Sequence, residues 1–571
     1  MTSKERLFKY LKPMRMSLVT SLLFALLFAI SQIGQPFLLG RALDAEQKEF
    51  YIYVFIALGL VVFGAIFAYI FEVIVMNVSQ KIIKKARDDV FEKINAISIK
   101  EFDQKAHGDL VLLEIRDMEN LSAGLYAVFK TLIQGIFTIA VTIIMMFAVN
   151  WILAVGVIVL SPLSMIMANI ISKANRQRFK KQSELQANVS SISLETLNNI
   201  DIVQSLNYEE ESIRKFGEMN GKLQKEARSA QFSACWVNPS TRLVNNTIYI
   251  LIGVVGVVML SYDTKLAVVF AVMTIGRLSS FLSYTNQYSK PFNEISNVAA
   301  EYENAKASFT RINNFLNLEN DVDDGFDNIS SIESIEFKNM TFSYSENQKL
   351  IEGFNLAIKK GQKVAVVGPT GAGKTTLINL LMRFYDPVSG NICINGQSSL
   401  DISKQSLRQK IGMVLQDTWI FSGTILDNIR YFKKEAGQEE VVEAARKAHA
   451  DIFINTLPDG YMTLVSNKSG LSEGQRQMIA IARVMLLNPE LVILDEATSN
   501  IDTRSEMLIT QAFDQMMKEK TSIVIAHRLS TIEKADIIIV MKDGGIVETG
   551  NHKELMQKQG FYYSLYSSQY K

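Results

Sequence analysis

The 571-residue sequence is poor in the residues that build disulfide and metal sites. It contains two cysteines and four histidines. Cys235 and Cys393 lie far apart in regions of different character, so we expect two inert thiols in a reducing compartment rather than a structural disulfide. The histidines do not show the spacing of metal ligands, and we expect His107, His449 and His552 to be surface or packing residues.

The positive and negative charges of the chain nearly balance. Lysine and arginine number 59 and aspartate and glutamate 58, for a formal net charge of +1. Nucleic-acid-binding proteins carry a concentrated basic face, so this balance gives no indication of a nucleic acid partner.

The first apolar stretch is too long for the core of a signal peptide, and no clear small-residue cleavage site follows it.

Long apolar runs, in contrast, are abundant. Hydrophobic residues make up 48% of the chain and are unevenly spread. Residues 1–15 alternate basic and apolar side chains, which predicts a short amphipathic helix at the cytoplasmic membrane surface. Residues 16–310 are predicted to form a membrane domain, because about 20 apolar residues in a helix span a bilayer. Six runs of that length occur, at about 16–39, 52–75, 126–149, 152–172, 240–262 and 265–287.

The connections between these runs alternate in length. The two long ones, residues 76–125 and 173–239, are hydrophilic and rich in lysine and arginine. The positive-inside rule therefore places both of them, and both termini, in the cytoplasm. Their composition favours helix, and a 25-residue helical extension would protrude roughly 35–40 Å. The long connections are predicted to be helical stalks that reach a cytoplasmic domain.

A glycine-rich loop stands between a strand-like apolar run at residues 364–367 and a helix-like run at 377–382. This context is the one in which G-x-x-x-x-G-K-[ST] indicates a P-loop. Its backbone N–H groups and the helix N-terminus attract phosphate. Lys374 is expected to reach the β- and γ-phosphates of ATP, and the Thr375 hydroxyl to bind Mg²⁺. The loop comprises Gly368, Pro369, Thr370, Gly371, Ala372, Gly373, Lys374, Thr375 and Thr376.

A second pattern of ATP chemistry ends in two carboxylates. Residues 491–494 are strand-like and apolar, and Asp495 and Glu496 follow them. Asp495 is expected to hold Mg²⁺, directly or through water, and Glu496 to orient or deprotonate the attacking water. Residues 334–571 mix short apolar runs with helical segments, which predicts an α/β nucleotide-binding domain. Residues 311–333 are interpreted as its linker.

Further motifs resemble those of the ATP-binding cassette (ABC) transporters. The run Leu471, Ser472, Glu473, Gly474, Gln475 resembles the LSGGQ signature. The resemblance also assigns Tyr344 as the aromatic residue that stacks on adenine and Gln416 as the Q-loop glutamine that reaches Mg²⁺. Ser499 and Asp502 would belong to the D-loop, and His527 would be the switch histidine. The predicted fold class is a polytopic α-helical membrane domain of six transmembrane helices with long cytoplasmic extensions, followed by an α/β P-loop ABC nucleotide-binding domain. The chain resembles an exporter-type half-transporter.

The resemblance implies a head-to-tail pair of ATPase domains with two ATP molecules at their interface. Each ATP is held by the P-loop of one subunit and by the signature of the other, so Ser472 and Gly474 would contact the γ-phosphate held by the partner. Segments at about 102–119 and 198–209 resemble the coupling helices of the family. These helices would transmit closure of the ATPase domains to the spans, giving alternating access.

Glu473 departs from the family, which has glycine at this position of the signature. A carboxylate would repel the γ-phosphate, and its side chain would crowd a loop that must approach closely. We expect a signature that no longer supports fast hydrolysis; a tolerated variation is the alternative. With the P-loop, Glu496 and His527 intact, the chain resembles the consensus half of heterodimeric bacterial multidrug exporters. Its partner would carry an intact signature and a weakened catalytic carboxylate.

The predicted function is ATP-driven export of hydrophobic or amphipathic small molecules, that is, multidrug efflux. The chain is expected to be a multi-pass protein of the bacterial cytoplasmic membrane, surrounded by lipid, with ATP and Mg²⁺ as cofactors. Alternatives with the same fold are a lipid or peptide transporter, an exporter-fold importer and a homodimeric exporter. An ATP-gated channel or a signalling membrane protein is the alternative of a different class.

Overall fold

The computed structural model describes most of the chain, and the described residues form two compact units. They are residues 1–103, 107–261, 273–323, 325, 327–344, 350–415, 418–467, 470–495, 502–525 and 532–570. The first unit comprises Met1–Ala96 and Lys105–Leu318, and the second comprises Ile97–Gln104 and Glu319–Lys571.

Helices make up nearly all of the first unit. A helix satisfies its backbone hydrogen bonds within one segment, which an apolar run in lipid requires. A 3₁₀ turn (Lys12–Met14) precedes the second helix and a π-helical turn (Leu113–Asp117) precedes the sixth. The helices in chain order, of which α4 belongs to the second unit, are α1 (Ser3–Leu11), α2 (Arg15–Asp44), α3 (Gln47–Ala96), α4 (Ile99–Asp103), α5 (His107–Leu112), α6 (Met118–Val149), α7 (Trp151–Leu160), α8 (Pro162–Asn198), α9 (Ile200–Ser205), α10 (Glu209–Cys235), α11 (Val237–Ser261) and α12 (Ile275–Leu316).

Four helical stretches of the described residues are long and apolar enough to cross a membrane. They are Ser3–Asp44, Gln47–Ala96, Leu110–Val149 and Glu209–Leu260, and they overlap the predicted spans 16–39, 52–75, 126–149 and 240–262. The predicted span 152–172 crosses a turn at Ser161, between the short apolar α7 and α8. The predicted span 265–287 begins among residues 262–272, which lie outside the described residues. The number of six spans therefore stays a prediction.

Helix α12 packs against α2 through a close approach of two glycines. A Cβ atom on Gly276 would lie 1.9 Å from the backbone oxygen of Gly40, so neither position has room for a side chain. Pro36 lies within α2 and has no N–H to donate. The neighbouring helix α12 bonds to α2 at this proline, because the Ser280 hydroxyl donates to the Pro36 carbonyl at 2.7 Å. Small and polar residues thus let the two backbones approach closely.

The second unit is built on a six-stranded sheet of order β12-β11-β3-β10-β9-β6 and a four-stranded antiparallel sheet of order β2-β1-β4-β5. In the larger sheet all neighbours are parallel except β11 and β12. The strands are β1 (Ser334–Phe342), β2 (Ile351–Lys359), β3 (Lys363–Val367), β4 (Ser389–Ile394), β5 (Gln397–Ser398), β6 (Ile411–Val414), β7 (Gly423–Thr424), β8 (Leu464–Val465), β9 (Leu491–Asp495), β10 (Thr521–Ile525), β11 (Ile537–Lys542) and β12 (Gly545–Gly550).

Two hydrophobic cores lie on opposite faces of the six-stranded sheet, because successive side chains of a strand point to opposite faces. On β3, Val364 and Val366 belong to one core and Ala365 and Val367 to the other. The helices that follow α12 in the chain are α13 (Lys374–Leu381), α14 (Lys404–Gln409), α15 (Ile425–Arg430), α16 (Gln438–Lys447), α17 (Asp451–Ile454), α18 (Glu473–Leu487), α19 (Thr503–Met516), α20 (His552–Lys558) and α21 (Phe561–Tyr570).

The acidic stretch interpreted as linker is bound to the second unit. The Asp323 carboxylate accepts hydrogen bonds from the backbone N–H of Lys404 at 2.7 Å and from the Ser403 hydroxyl at 2.9 Å. The Asp321 carboxylate pairs with the Lys404 ammonium at 2.6 Å. Carboxylates at a helix N-terminus are favourable, and here they attach the chain to the start of α14.

Candidate nucleotide-binding site

The P-loop connects β3 to α13, and its glycines are required by the backbone. Gly371 and Gly373 have φ angles of +84° and +94°, which residues with a Cβ atom rarely adopt. At Gly368 the need is space, since a Cβ atom there would lie 2.3 Å from the backbone oxygen of Met541. The loop turns back onto the N-terminus of α13, where backbone N–H groups can bind phosphate.

Lys374, the first residue of α13, is held over the loop that it follows. Its ammonium donates to the carbonyl of Gly368 at 2.7 Å and to that of Pro369 at 3.0 Å. Burial lowers the pKa of Lys374, and the nearby Asp495 carboxylate opposes that shift. The cation and the carboxylate therefore lie in one partly buried site.

The sheet register explains why Asp495 lies near the P-loop. Both Asp495 on β9 and Val366 on β3 pair with Ile525 of the strand between them. Asp495 therefore ends its strand at the level at which β3 enters the loop. Carboxyl ends of neighbouring parallel strands are where α/β sheets bind ligands. Thr375 presents a hydroxyl and Asp495 a carboxylate, and such oxygen donors suit Mg²⁺.

Tyr344 follows β1 and stands beside the P-loop helix. Its hydroxyl donates to the Thr376 hydroxyl at 3.2 Å and accepts from the Asn379 amide at 3.2 Å. Phe342 and Tyr385 contact the ring edge-on, with centroids 4.9 and 5.0 Å away. Tyr344 is still 48% exposed, so its ring offers an oriented aromatic surface on which an adenine base can stack.

The signature residues form the N-terminus of α18. The Ser472 hydroxyl accepts from the backbone N–H of Gln475 at 3.2 Å, and the Gln475 side chain accepts from the backbone N–H of Ser472 at 2.9 Å. This is a reciprocal capping box. Glu473 is the exposed first residue of the helix. A carboxylate is favourable at this position because the helix dipole is positive there, which gives a local structural reason for its presence.

Comparison with known proteins decides the family. The ABC transporter transmembrane region matches residues 18–292, and the ABC transporter family matches residues 351–499. The chain is 36% identical over 488 residues to the fatty acid ABC transporter ATP-binding/permease protein of Mycobacterium bovis, covering 85% of this chain and 76% of that protein. This chain belongs to the ABC transporters.

Two further comparisons describe the kind of ABC transporter. The chain is 32% identical over 520 residues to a probable multidrug resistance ABC transporter ATP-binding/permease protein of Bacillus subtilis, covering 90% and 76% of the two chains. The structure of a bacterial Atm1-family ABC exporter with ATP bound superposes with a TM-score of 0.82 at 25% identity, covering 98% of this chain and 99% of that chain. The chain is thus an integral membrane, ATP-hydrolysing transporter of the exporter fold, and ABC exporters act as dimers of two halves.

The structure describes part of the predicted ABC transporter site. It brings the P-loop and Asp495 together, places Tyr344 beside them, and places the signature at the start of α18 with Ser472 and Glu473 exposed. Asp502 is the N-cap of α19 and accepts from the backbone N–H groups of Arg504 and Ser505 at 3.1 and 2.9 Å. Gln416, Glu496, Ser499 and His527 lie outside the described residues, so their roles stay predictions. The His552 imidazole contacts the Tyr562 hydroxyl at 2.8 Å, a packing interaction.

Sequence reasoning missed Tyr385, which contacts the short helix α4. Its hydroxyl donates to the Asp103 carboxylate at 2.6 Å. Burial raises the pKa of Tyr385, and the bond to Asp103 raises it further, so the hydroxyl remains a donor. The Tyr385 ring also contacts Tyr344. Tyr385 therefore contacts both Tyr344, the residue expected to stack on adenine, and α4, which lies in the first long connection of the sequence.

Arg483 was missed as well, although a single cation in the apolar run 478–487 was a visible signal. Arg483 as a whole is only 6% exposed. Its guanidinium donates to the carbonyls of Asn428 and Trp419, each at 2.7 Å, and to the Asn428 side chain at 2.6 Å. Burial lowers the pKa of Arg483 to about 10. The signature helix is thereby joined to the segment that follows Gln416.

Proposed function

We propose that this chain is the catalytically competent half of a heterodimeric exporter that moves hydrophobic or amphipathic small molecules across the bacterial cytoplasmic membrane. Both termini lie in the cytoplasm, and alternating access is driven by ATP with Mg²⁺. The observation that carries the proposal is the position of Glu473, at the exposed first turn of α18 beside Ser472, in a chain whose own P-loop is complete.

The position of Glu473 disfavours a phosphate at the same helix N-terminus. Two like unit charges 4 Å apart repel by about 4 kcal/mol at the effective dielectric constant of a protein surface. The carboxylate also occupies the favourable dipole position that a γ-phosphate would use. The ATP that faces this signature is therefore expected to be hydrolysed slowly. A partner with an intact signature would complete the other site, where Glu496 acts as base and His527 as switch.

Coupling between the subunits is proposed to use the apolar surfaces of α9 and of a groove in the second unit. Ile202 and Leu206, on α9 and directly after it, are 56% and 70% exposed. The groove has a volume of about 710 Å³, and Leu415 and Phe432, which line it, are 51% and 60% exposed. We propose that the segment of the partner that corresponds to α9 occupies this groove, so that closure of the ATPase domains moves the spans.

The substrate class is proposed from the relatives, one named for fatty acids and one for multidrug resistance. Fatty acids are amphipathic, and we propose that the cargo of this chain is of that kind. Export of such molecules is the function that we favour. The fatty acid relative makes lipid transport the second candidate.

The test is an ATPase assay of the purified full-length chain, alone and with the product of an adjacent half-transporter gene. We expect activity only in the mixture, and its loss in Glu496→Gln. Glu443→Gln, which changes a surface carboxylate on α16, should leave activity unchanged. A homodimer of this chain with full activity would contradict the heterodimer. Activity without movement of any cargo into inside-out vesicles would instead favour the channel or signalling alternative.

A further inference from the structure

We propose that the cavity between α8 and α10 is an entry site for anionic amphiphiles, molecules with one acidic headgroup and a hydrocarbon chain. The inference rests on the proposed function, since it names a substrate class for the exporter and a route from the cytoplasmic leaflet. The cavity has a volume of about 550 Å³. Its lining includes Ile170, Asn175 and Arg178 on α8, Phe232 and Ser233 on α10, and Trp236 directly after α10.

Arg178 supplies the charge of the cavity. Its guanidinium donates a hydrogen bond to the Ser233 hydroxyl, a neutral partner that leaves the positive charge uncompensated. Among the described residues no carboxylate forms an ion pair with Arg178. A guanidinium has five N–H donors, so several remain for a ligand, and its planar shape matches the two oxygens of a carboxylate or phosphate.

Apolar side chains surround this cation and remain open to a ligand. Ile170, Phe232 and Trp236 are 59%, 67% and 57% exposed, although all three line the same cavity. Binding sites for small molecules combine such apolar walls with few polar groups that orient the ligand. A hydrocarbon chain would cover these side chains while its headgroup meets Arg178.

The surrounding sequence favours an anion over a cation. Residues 170–181 contain five lysines and arginines and no acidic residue, and residues 225–242 contain three cations and one acid, Glu226. Glu226 already forms an ion pair with Lys181 at 2.7 Å. The cavity lies where α8 changes from apolar to basic, the composition expected at the cytoplasmic face of a membrane. Basic pockets between helices at that face bind acidic headgroups.

Trp236 makes the site directly measurable. The chain has three tryptophans, so Trp151→Phe and Trp419→Phe leave Trp236 as the only reporter that this chain contributes, and the quenching assigned to it is the part that Trp236→Phe removes. The full-length protein with its partner is placed in phosphatidylcholine nanodiscs and titrated with dibromostearate, with a brominated lysophosphatidate and with the matching brominated alcohol. We expect saturable quenching by the two anions, and binding weaker by about tenfold or more in Arg178→Gln, because a charge-assisted bond is lost. Lys173→Gln, which removes an exposed charge of α8 outside the cavity, should change the affinity less than twofold.

The outcomes separate this inference from the proposed function. Equal quenching by the alcohol, or an unchanged affinity in Arg178→Gln, would overturn the anion site. Arg178→Lys keeps the charge and should bind with intermediate affinity, while an unchanged thermal unfolding midpoint reports correct folding. Competition by phosphatidylglycerol in the nanodisc would identify a membrane lipid rather than a free fatty acid as the occupant, with the site upheld. Saturable anion binding by a complex that hydrolyses no ATP would uphold the anion site and would contradict only the proposed function as a heterodimeric exporter.

Discussion

The guanidinium of Arg311 and the carboxylate of Asp117 form a two-point hydrogen bond between α12 and the π-helical turn before α6. Arg311 Nε donates to one oxygen at 2.8 Å, and a terminal nitrogen donates to the other. The Ser308 hydroxyl adds a third bond to Asp117 at 2.9 Å. Asp117 is buried, whereas the Arg311 side chain is 51% exposed. This asymmetry decides which partner is more costly to remove.

We expect Arg311→Met to lower the stability of the first unit more than Asp117→Asn does. Removing Arg311 leaves a buried carboxylate with only Ser308, at a cost of about 2–3 kcal/mol. Removing the charge of Asp117 leaves an arginine that water can solvate, at a cost of about 1 kcal/mol. Thermal unfolding of the full-length protein in nanodiscs measures both. Equal shifts of the two midpoints would contradict the burial argument.

Two substitutions of Glu473 can separate the effect of its negative charge on ATPase activity from the effect of its size. The chain assayed alone is expected to show no ATPase activity, and Glu473→Gly should produce activity at least about tenfold above the background of the assay, because removing the like charge relieves up to about 4 kcal/mol of repulsion. Glu473→Gln keeps the size and removes the charge, so most of the gain should remain. Glu439→Gln, at the first turn of α16, is the control. A gain with Gly and none with Gln would identify crowding as the cause.

Arg483 is predicted to support the helices around the signature. Arg483→Met removes the donor of three hydrogen bonds, two of them buried, which should cost about 3 kcal/mol. Arg504→Met removes an exposed arginine of α19 and should change the stability by less than about 0.5 kcal/mol. The measurement is the thermal midpoint of the full-length protein with and without ATP. Similar midpoints for the two variants would exclude a structural role for the buried bonds.

Tyr385→Phe tests the contact with α4. The substitution keeps the ring beside Tyr344 and removes only the hydrogen bond to Asp103. We expect basal ATPase activity to persist while stimulation by transported amphiphiles falls by at least about twofold, roughly the effect of one lost hydrogen bond. Tyr461→Phe is the matched control, because the buried Tyr461 hydroxyl makes no hydrogen bond to any described residue. Unchanged stimulation in Tyr385→Phe would remove α4 from the coupling path.

The P-loop shows what could be read from the sequence, because its chemistry is local. The glycines, Lys374 and Thr375 follow one another in the chain, and the strand and helix around them are defined by short apolar patterns. Asp495 was also predictable, since an apolar strand followed by carboxylates places them at the edge of a parallel sheet. The position of Glu473 at the start of α18 came from the structure, whereas the family resemblance alone marked the residue as unusual.

The contacts that join distant segments could not be predicted. Tyr385 and Asp103 are 282 residues apart, Arg311 and Asp117 are 194 apart, and no periodicity relates such pairs. The cavity between α8 and α10 likewise depends on which face each helix turns toward the other. By itself the sequence determined the ATP-binding chemistry, the apolar spans and the family, because these depend on neighbouring residues. Only the tertiary structure decided which polar side chains meet, because a hydrogen bond requires its atoms within about 3 Å and the packing of whole helices and sheets sets that distance.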